Sequence, residues 1–133
     1  MKFLLDTDTF SVAAREGSAA LHKRLEGESL DNLALSVITV GEIEFGLAKR
    51  MPPARIAARI AAMRQSFRVL AVNEAAAAAY GRLRQSLQSQ GISIGPNDLW
   101  IAAHALSENL TVVTGNVREY IRVPGLRVEN WLR

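Results

Sequence analysis

An α/β fold built on a parallel sheet is what this sequence predicts, and three observations predict it. Short apolar runs recur along the 133 residues, at Phe3–Leu5, Leu33–Leu35, Val69–Val72 and Thr111–Thr114. Between them lie longer segments with apolar residues at helical spacing. The first run stops abruptly at a carboxylate, Asp6, and only four aspartates occur in the chain, two of them Asp6 and Asp8. Strands alternating with helices imply right-handed crossovers, and the carboxyl edge of such a sheet is where ligands collect.

Taken in order, Phe3–Leu5 is the first strand. Thr9 to about Glu26 reads as one or two short helices with a break near Gly17, and Leu33–Leu35 as the second strand. A helix follows from Thr39 to about Lys49, with Val40, Ile43 and Leu47 on one face. Its start, Thr39-Val40-Gly41-Glu42, fits a capping box in which the glutamate reaches back to the Thr39 amide. Pro52-Pro53 closes that helix and opens the next, since proline is tolerated in a first helical turn. There Ile56, Ile60, Met63 and Phe67 make an apolar stripe suited either to the core or to a dimer contact. Val69–Val72 is the third strand. Asn73 caps a long helix with Ala76, Tyr80, Leu83 and Leu87 inward, and Gly91 ends it. Gly95-Pro96-Asn97 opens another helix that runs to about Ser107. Thr111–Thr114 is the fourth strand and Leu126–Glu129 a candidate fifth.

Length fits one domain spanning residues 1–133. Hydrophobic residues make up 49%, which argues against disorder, and there are no cysteines. A disulfide scaffold, a thiolate metal site and a cysteine nucleophile are excluded. No apolar run approaches a membrane span, and the stretch after Lys2 is too short for a signal-peptide core. A cytoplasmic protein is expected. Net charge is +3, but the average conceals a contrast. With Asp6, Asp8, Glu42, Asp98 and Glu119 set aside, eight acids face 16 Lys and Arg, so the rest of the molecule carries +8. A basic body around an acidic pocket suits a metal-dependent enzyme acting on a polyanion.

Four places carry candidate chemistry: Asp6 after the first strand, Glu42 early in its helix, Asp98 in the first turn opened by Pro96, and Thr114-Gly115-Asn116 with Glu119 beyond. Each lies near a strand-to-helix junction, and in a parallel sheet these junctions share one edge. Clustered carboxylates repel, and a divalent cation compensates them. Oxygen-only ligands suit Mg²⁺ or Mn²⁺, and the chemistry that follows is metal-assisted attack of water on a phosphodiester. Taken singly, Glu42 serves the capping box, Asp98 faces a helix dipole, and Glu119 is a surface acid. Asp6 has no such ready structural duty. Thr7 and Thr114 are placed to hydrogen-bond the ligands or to cap a turn. Lys49, Arg50, Arg82, Arg84, Arg118 and Arg122 are candidates for phosphate contacts. His104, six residues after Asp98, is expected to satisfy a core hydrogen bond. Trp100 suits base stacking or packing, and Trp131 anchors the tail.

Four segments resemble the PIN-domain ribonucleases, specifically the VapC toxins of bacterial toxin–antitoxin pairs. They are Phe3-Leu4-Leu5-Asp6-Thr7-Asp8, Ser36-Val37-Ile38-Thr39-Val40-Gly41-Glu42, Ile94 to Ala105 with Asn97-Asp98-Leu99-Trp100 at its centre, and Val112 to Tyr120. The tail Val123 to Trp131 resembles the end of such toxins. The resemblance implies a PIN-like three-layer α/β/α fold with a central parallel sheet of four to five short strands. It makes Asp6, Glu42 and Asp98 the three metal-site acids. Glu119 takes the fourth place, with Asn116 a supporting polar ligand; many members have aspartate near both positions. Asp8 supports the ligands from behind, where related toxins often carry asparagine. In the implied mechanism Asp6 and Asp98 bind Mg²⁺ or Mn²⁺, and Glu42 orients or deprotonates the attacking water. Also implied are a homodimer, a VapB-type antitoxin that binds the toxin and its operator DNA, and an RNA substrate. The subset most similar in sequence cuts initiator tRNA. Two rival readings remain. One is a catalytically weak PIN module that acts by binding its antitoxin. The other is a haloacid-dehalogenase-like phosphatase with Asp6 as nucleophile and Asp8 as general acid; for that family the lysines lie too early and the late acidic pair is missing.

Overall fold

A computed structural model describes residues 1–133. In chain order it contains β1 (Phe3–Leu5), α1 (Thr7–Ala14), α2 (Ala19–Glu26), a 3₁₀ turn (Leu30–Asn32), β2 (Leu33–Ser36), α3 (Val37–Lys49), α4 (Ala54–Ser66), β3 (Arg68–Leu70), α5 (Glu74–Ser89), α6 (Pro96–Glu108), β4 (Thr111–Val113), α7 (Val117–Tyr120) and β5 (Val128–Glu129). Every strand pairing is parallel, in the order β3-β2-β1-β4-β5.

Alternation along the central strands decides the layering. Phe3 and Leu5 of β1, Leu33 and Leu35 of β2 and Val113 of β4 pack to one side with Phe10, Leu21, Ile56, Ile60 and Trp131. Leu4, Ala34 and Val112 pack to the other with Leu83, Leu87, Leu99 and the Ile101–Ala105 stretch of α6. Both faces of the sheet are apolar, so each needs its own helical cover. The result is the expected three-layer α/β/α arrangement.

The order of strands sets the position of the site. The chain builds outward from β1 to β2 and β3, then returns to lay β4 on the other side of β1. Strand order therefore reverses between β1 and β4, and a crevice opens at the carboxyl ends there. Leu5 pairs with Val113, so the next residue of each strand, Asp6 and Thr114, stand side by side at that crevice.

Several boundaries depart from the sequence reading, and each departure has a local cause. Helix α3 starts at Val37, not Thr39, because Ser36 is the cap: its Oγ accepts the Ile38 N–H at 3.1 Å. The capping box at Thr39 and Glu42 therefore does not form, and Glu42 is free for another partner. Helix α1 starts at Thr7 because Asp6 caps it. Strand β3 is Arg68–Leu70, shifted toward the N-terminus from the expected Val69–Val72. Ile56, Ile60 and Phe67 are buried in the core with Met63 against them, which removes that stripe as a dimer contact. Tyr80 is only half-buried; it lies flat on Trp100, with ring centroids 3.8 Å apart and planes 5° apart. No helix is long and apolar enough to cross a membrane.

Candidate active site

Asp6 is the best-held acid of the molecule. It is 3% exposed. One carboxylate oxygen accepts the Thr9 N–H at 2.9 Å, which caps α1, and the other accepts the Thr114 hydroxyl at 2.6 Å across the strand reversal. Burial pushes the Asp6 carboxyl above its usual range, the bonds from Thr114 and Thr9 oppose that, and the neighbouring Asp8 charge adds to it. Thr114 is itself fixed, since its Oγ1 accepts the Asn116 N–H at 2.8 Å.

Glu42 reaches the same rim from α3. Its Oε1 accepts the hydroxyl of Thr7, the residue after Asp6, at 2.5 Å. Glu42 also lines a cleft of about 270 Å³ with Gly95, Pro96, Asn97 and Asp98. Asp98 faces it from the first turn of α6. The Asp98 carboxylate accepts the hydroxyl of Tyr120 at 3.0 Å. Glu119 lies close by, held by the Gly95 N–H at 3.0 Å and the Asn116 side-chain amide at 2.8 Å. A Cβ added at Gly95 would stand 3.8 Å from Asp98 Oδ2 and 3.9 Å from Glu119 Oε1, which brackets the two acids around one backbone position.

Crowding shows in the protonation of Asp98, whose carboxyl is pushed up to about 7, first by desolvation, then by Glu119 beside it and by the more distant Asp6 charge. Burial likewise holds the Tyr120 phenol far above its usual range, with the Asp98 charge reinforcing it, so Tyr120 remains a neutral donor. No three of the acids come close enough to hold one metal ion between them. The arrangement is a ring of oxygen donors around a crevice, with an excess of negative charge at its mouth.

A family model described as PIN domain matches residues 3–126. The chain belongs to that family. Among individual relatives it is 32% identical to Ribonuclease VapC2 of Rickettsia felis, over 98% of each chain. It is 34% identical to the tRNA(fMet)-specific endonuclease VapC of Salmonella typhimurium, again over 98% of each. The crystal structure of DNA-bound VapBC from Salmonella typhimurium superimposes with a TM-score of 0.91 at 34% identity, covering 98% of both chains. These relatives place the PIN domain among the VapC ribonucleases, and the phosphatase alternative is set aside.

Within this PIN domain, Asp6, Glu42, Asp98, Glu119 and Asn116 all reach one rim. Asp8 does not join them. It is exposed in the first turn of α1 and acts on Asp6 through its charge alone. His104 makes the expected buried bond, its Nδ1 lying 2.9 Å from Ser36 Oγ. Trp100 packs on Tyr80, and Trp131 anchors the tail edge-on to Phe3. Of the basic candidates, Arg122 is engaged by the carbonyls of Ser93 and Glu119, and Arg84 by the Tyr80 hydroxyl. Sequence reasoning missed two contributors. Nothing in the sequence ties Tyr120 to Asp98, and the Gly95 amide carries no side-chain signal.

Proposed function

We propose that the protein is the toxin of a VapBC toxin–antitoxin pair and acts as a Mg²⁺- or Mn²⁺-dependent endoribonuclease on tRNA. The observation that carries this reading is that Glu42 of α3 and Asp98 of α6 line one cleft, while Asp6, just past β1, is joined to it by the Thr7–Glu42 bond and by its charge acting on Asp98. The donor set fits a hard cation: every available group is oxygen, and the Asp98 carboxyl, desolvated by burial and set beside Glu119, is pushed up to about 7. Magnesium takes one or two carboxylates and keeps several waters, so a tight three-acid cluster is not required of the protein alone. When bound, the cation activates water and polarises the scissile phosphate.

The residues divide the remaining work. Asp6 and Asp98 would hold the cation; Thr9 and Thr114 leave each Asp6 oxygen a free lone pair. Glu42, steadied by Thr7, orients the attacking water and takes its proton at a carboxylate oxygen. Glu119 and Asn116 complete the ligand set from α7. Lys49, Arg50, Arg82 and Arg118 are exposed, and they draw the RNA backbone to the rim. A VapB-type antitoxin is the partner, a reading supported by relatives crystallised as DNA-bound VapBC complexes; operator DNA is reached only through it. The toxin is a cytoplasmic homodimer. Val37, Phe45 and Met51, exposed along and just beyond α3, offer apolar surface for protein contact.

Sequencing RNA ends after brief expression of the wild type and of Asp6→Asn tests the reading. The expected result is one dominant new end in a tRNA with the wild type and none with the variant. Identical ends from both would overturn the site. No ends from either would favour the antitoxin-binding module without catalysis.

A further inference from the structure

His104 is a wholly buried ionisable side chain that the hydrolytic reading leaves unused. It sits on α6, and its Nδ1 lies 2.9 Å from the hydroxyl of Ser36, which is also fully buried. Ser36 ends β2 and caps α3, its Oγ accepting the Ile38 N–H. A hydroxyl has one proton and two lone pairs, so Ser36 pairs with Nδ1 in either imidazole tautomer. Nε2 has no well-formed hydrogen bond. Burial holds the ring neutral. The pair thus joins α6 to the β2–α3 corner in one buried knot.

Its place along the two helices is what gives it consequence. Glu42 lies six residues beyond Ser36 on α3, and Asp98 lies six residues before His104 on α6. Six residues of helix rise about 9 Å. From the knot, each helix therefore climbs the same distance to its acid, and the two acids face each other across the cleft of about 270 Å³. We propose that the Ser36–His104 hydrogen bond is a pin that sets the separation of Glu42 from Asp98, which makes Ser36 and His104 positioning residues for the hydrolytic site. A change of about 5° at the pin swings a carboxylate about 9 Å away by nearly 1 Å. A misplacement of that size is enough to cost on the order of 100-fold in rate.

The inference rests on the ribonuclease reading, and it is tested with the full chain and two readouts. One is cleavage of an RNA stem-loop that the wild type cuts; the other is Mn²⁺ affinity by calorimetry, which needs no turnover. His104→Leu keeps the volume and removes the bond. His104→Asn leaves a cavity but returns an acceptor near the Nδ1 position. Ser36→Ala removes the other partner. The expected result is a kcat lowered about 10- to 100-fold in His104→Leu and Ser36→Ala, with KM within about 2-fold. Mn²⁺ binding weakens in both, and the double variant is no worse than either alone. His104→Asn melts lower than His104→Leu yet cuts faster, an ordering that a purely structural role cannot produce. A folded Ser36→Ala with wild-type kcat and Mn²⁺ affinity overturns the pin, as does activity that follows melting temperature across the series. If the wild type cuts no RNA, the ribonuclease reading fails. The pin then stands or falls on Mn²⁺ affinity alone.

Discussion

The metal-free protein should lose stability as pH rises from 5 to 7.5, the reverse of what an ordinary salt-bridged acid gives. The perturbed group is Asp98, whose carboxyl is raised from 3.8 to about 7 by desolvation and by Glu119. Between those values the folded state holds a proton that the unfolded chain has released, so folding is favoured at the acid end and the advantage disappears as pH climbs through 7. Only the span from pH 5 to about 7, about 2 units, falls inside the interval, which corresponds to about 2.7 kcal/mol. Asp98 is partly exposed, and solvent screening halves that to about 1.4 kcal/mol. Asp6, raised chiefly by its burial, acts in the same direction. Glu16 and Glu28 are lowered, chiefly by hydrogen bonds from Arg55 and Asn32 respectively; they titrate below this window and do not mask the effect. With an unfolding entropy of about 2.1 cal/mol/K per residue over 133 residues, the melting temperature should fall by about 5 °C. Thermal unfolding by circular dichroism in a chelating buffer at pH 5 and 7.5 measures it, with Asp98→Asn as the control that removes most of the slope. A wild-type melting temperature that is flat or rising across this interval would refute the reasoning.

Three further outcomes follow from single contacts. Thr114→Val removes the 2.6 Å hydroxyl bond that lowers the Asp6 carboxyl; the acid limb of the cleavage profile should move to higher pH, with activity at pH 7 down about 10-fold, read from a pH–rate series. Glu119→Gln keeps an oxygen for the Gly95 amide and removes the charge that raises Asp98. It should melt close to wild type, shed part of the pH slope described above, and bind Mn²⁺ about 10-fold more weakly by calorimetry. Trp131→Ala empties a site that is 4% exposed and packed on Phe3 and Arg24; urea unfolding should show a loss of about 3–5 kcal/mol.

The architecture was legible because strand and helix periods separate cleanly here. Three-residue apolar runs such as Phe3–Leu5 have no room to be helices, and the long alanine-rich segment after Asn73 has no reason to be anything else. Convergence at a carboxyl edge followed from parallel topology without knowledge of the strand order. What the letters could not give was which hydroxyl caps which helix. Ser36 and Thr39 are both good caps three residues apart, and the choice falls to Ser36 because Thr39 is buried inside α3. That choice detaches Glu42 from its own helix end and leaves it to Thr7. The Tyr120–Asp98 and Gly95–Glu119 contacts were invisible for a different reason: one joins residues 22 apart and the other residues 24 apart in sequence, and neither has a local pattern.

From the sequence Asp6 is the acid without a ready structural duty, yet the structure gives it one. A helix begins at the next residue, and Asp6 is its cap. The structural role does not compete with the metal role; it prepares it. An ionised carboxylate has about four lone-pair sites. The Thr9 amide and the Thr114 hydroxyl take one on each oxygen, which fixes the plane of the group and leaves one on each for a ligand at the crevice. The capping bond also brings the N-terminal dipole of α1 to bear on the acid, which favours its charged form against the burial that opposes it. A residue that was only a cap would do as well with serine, and a residue that was only a ligand would gain nothing from burial. Holding the charge, its orientation and its protonation in one side chain at the strand reversal requires aspartate.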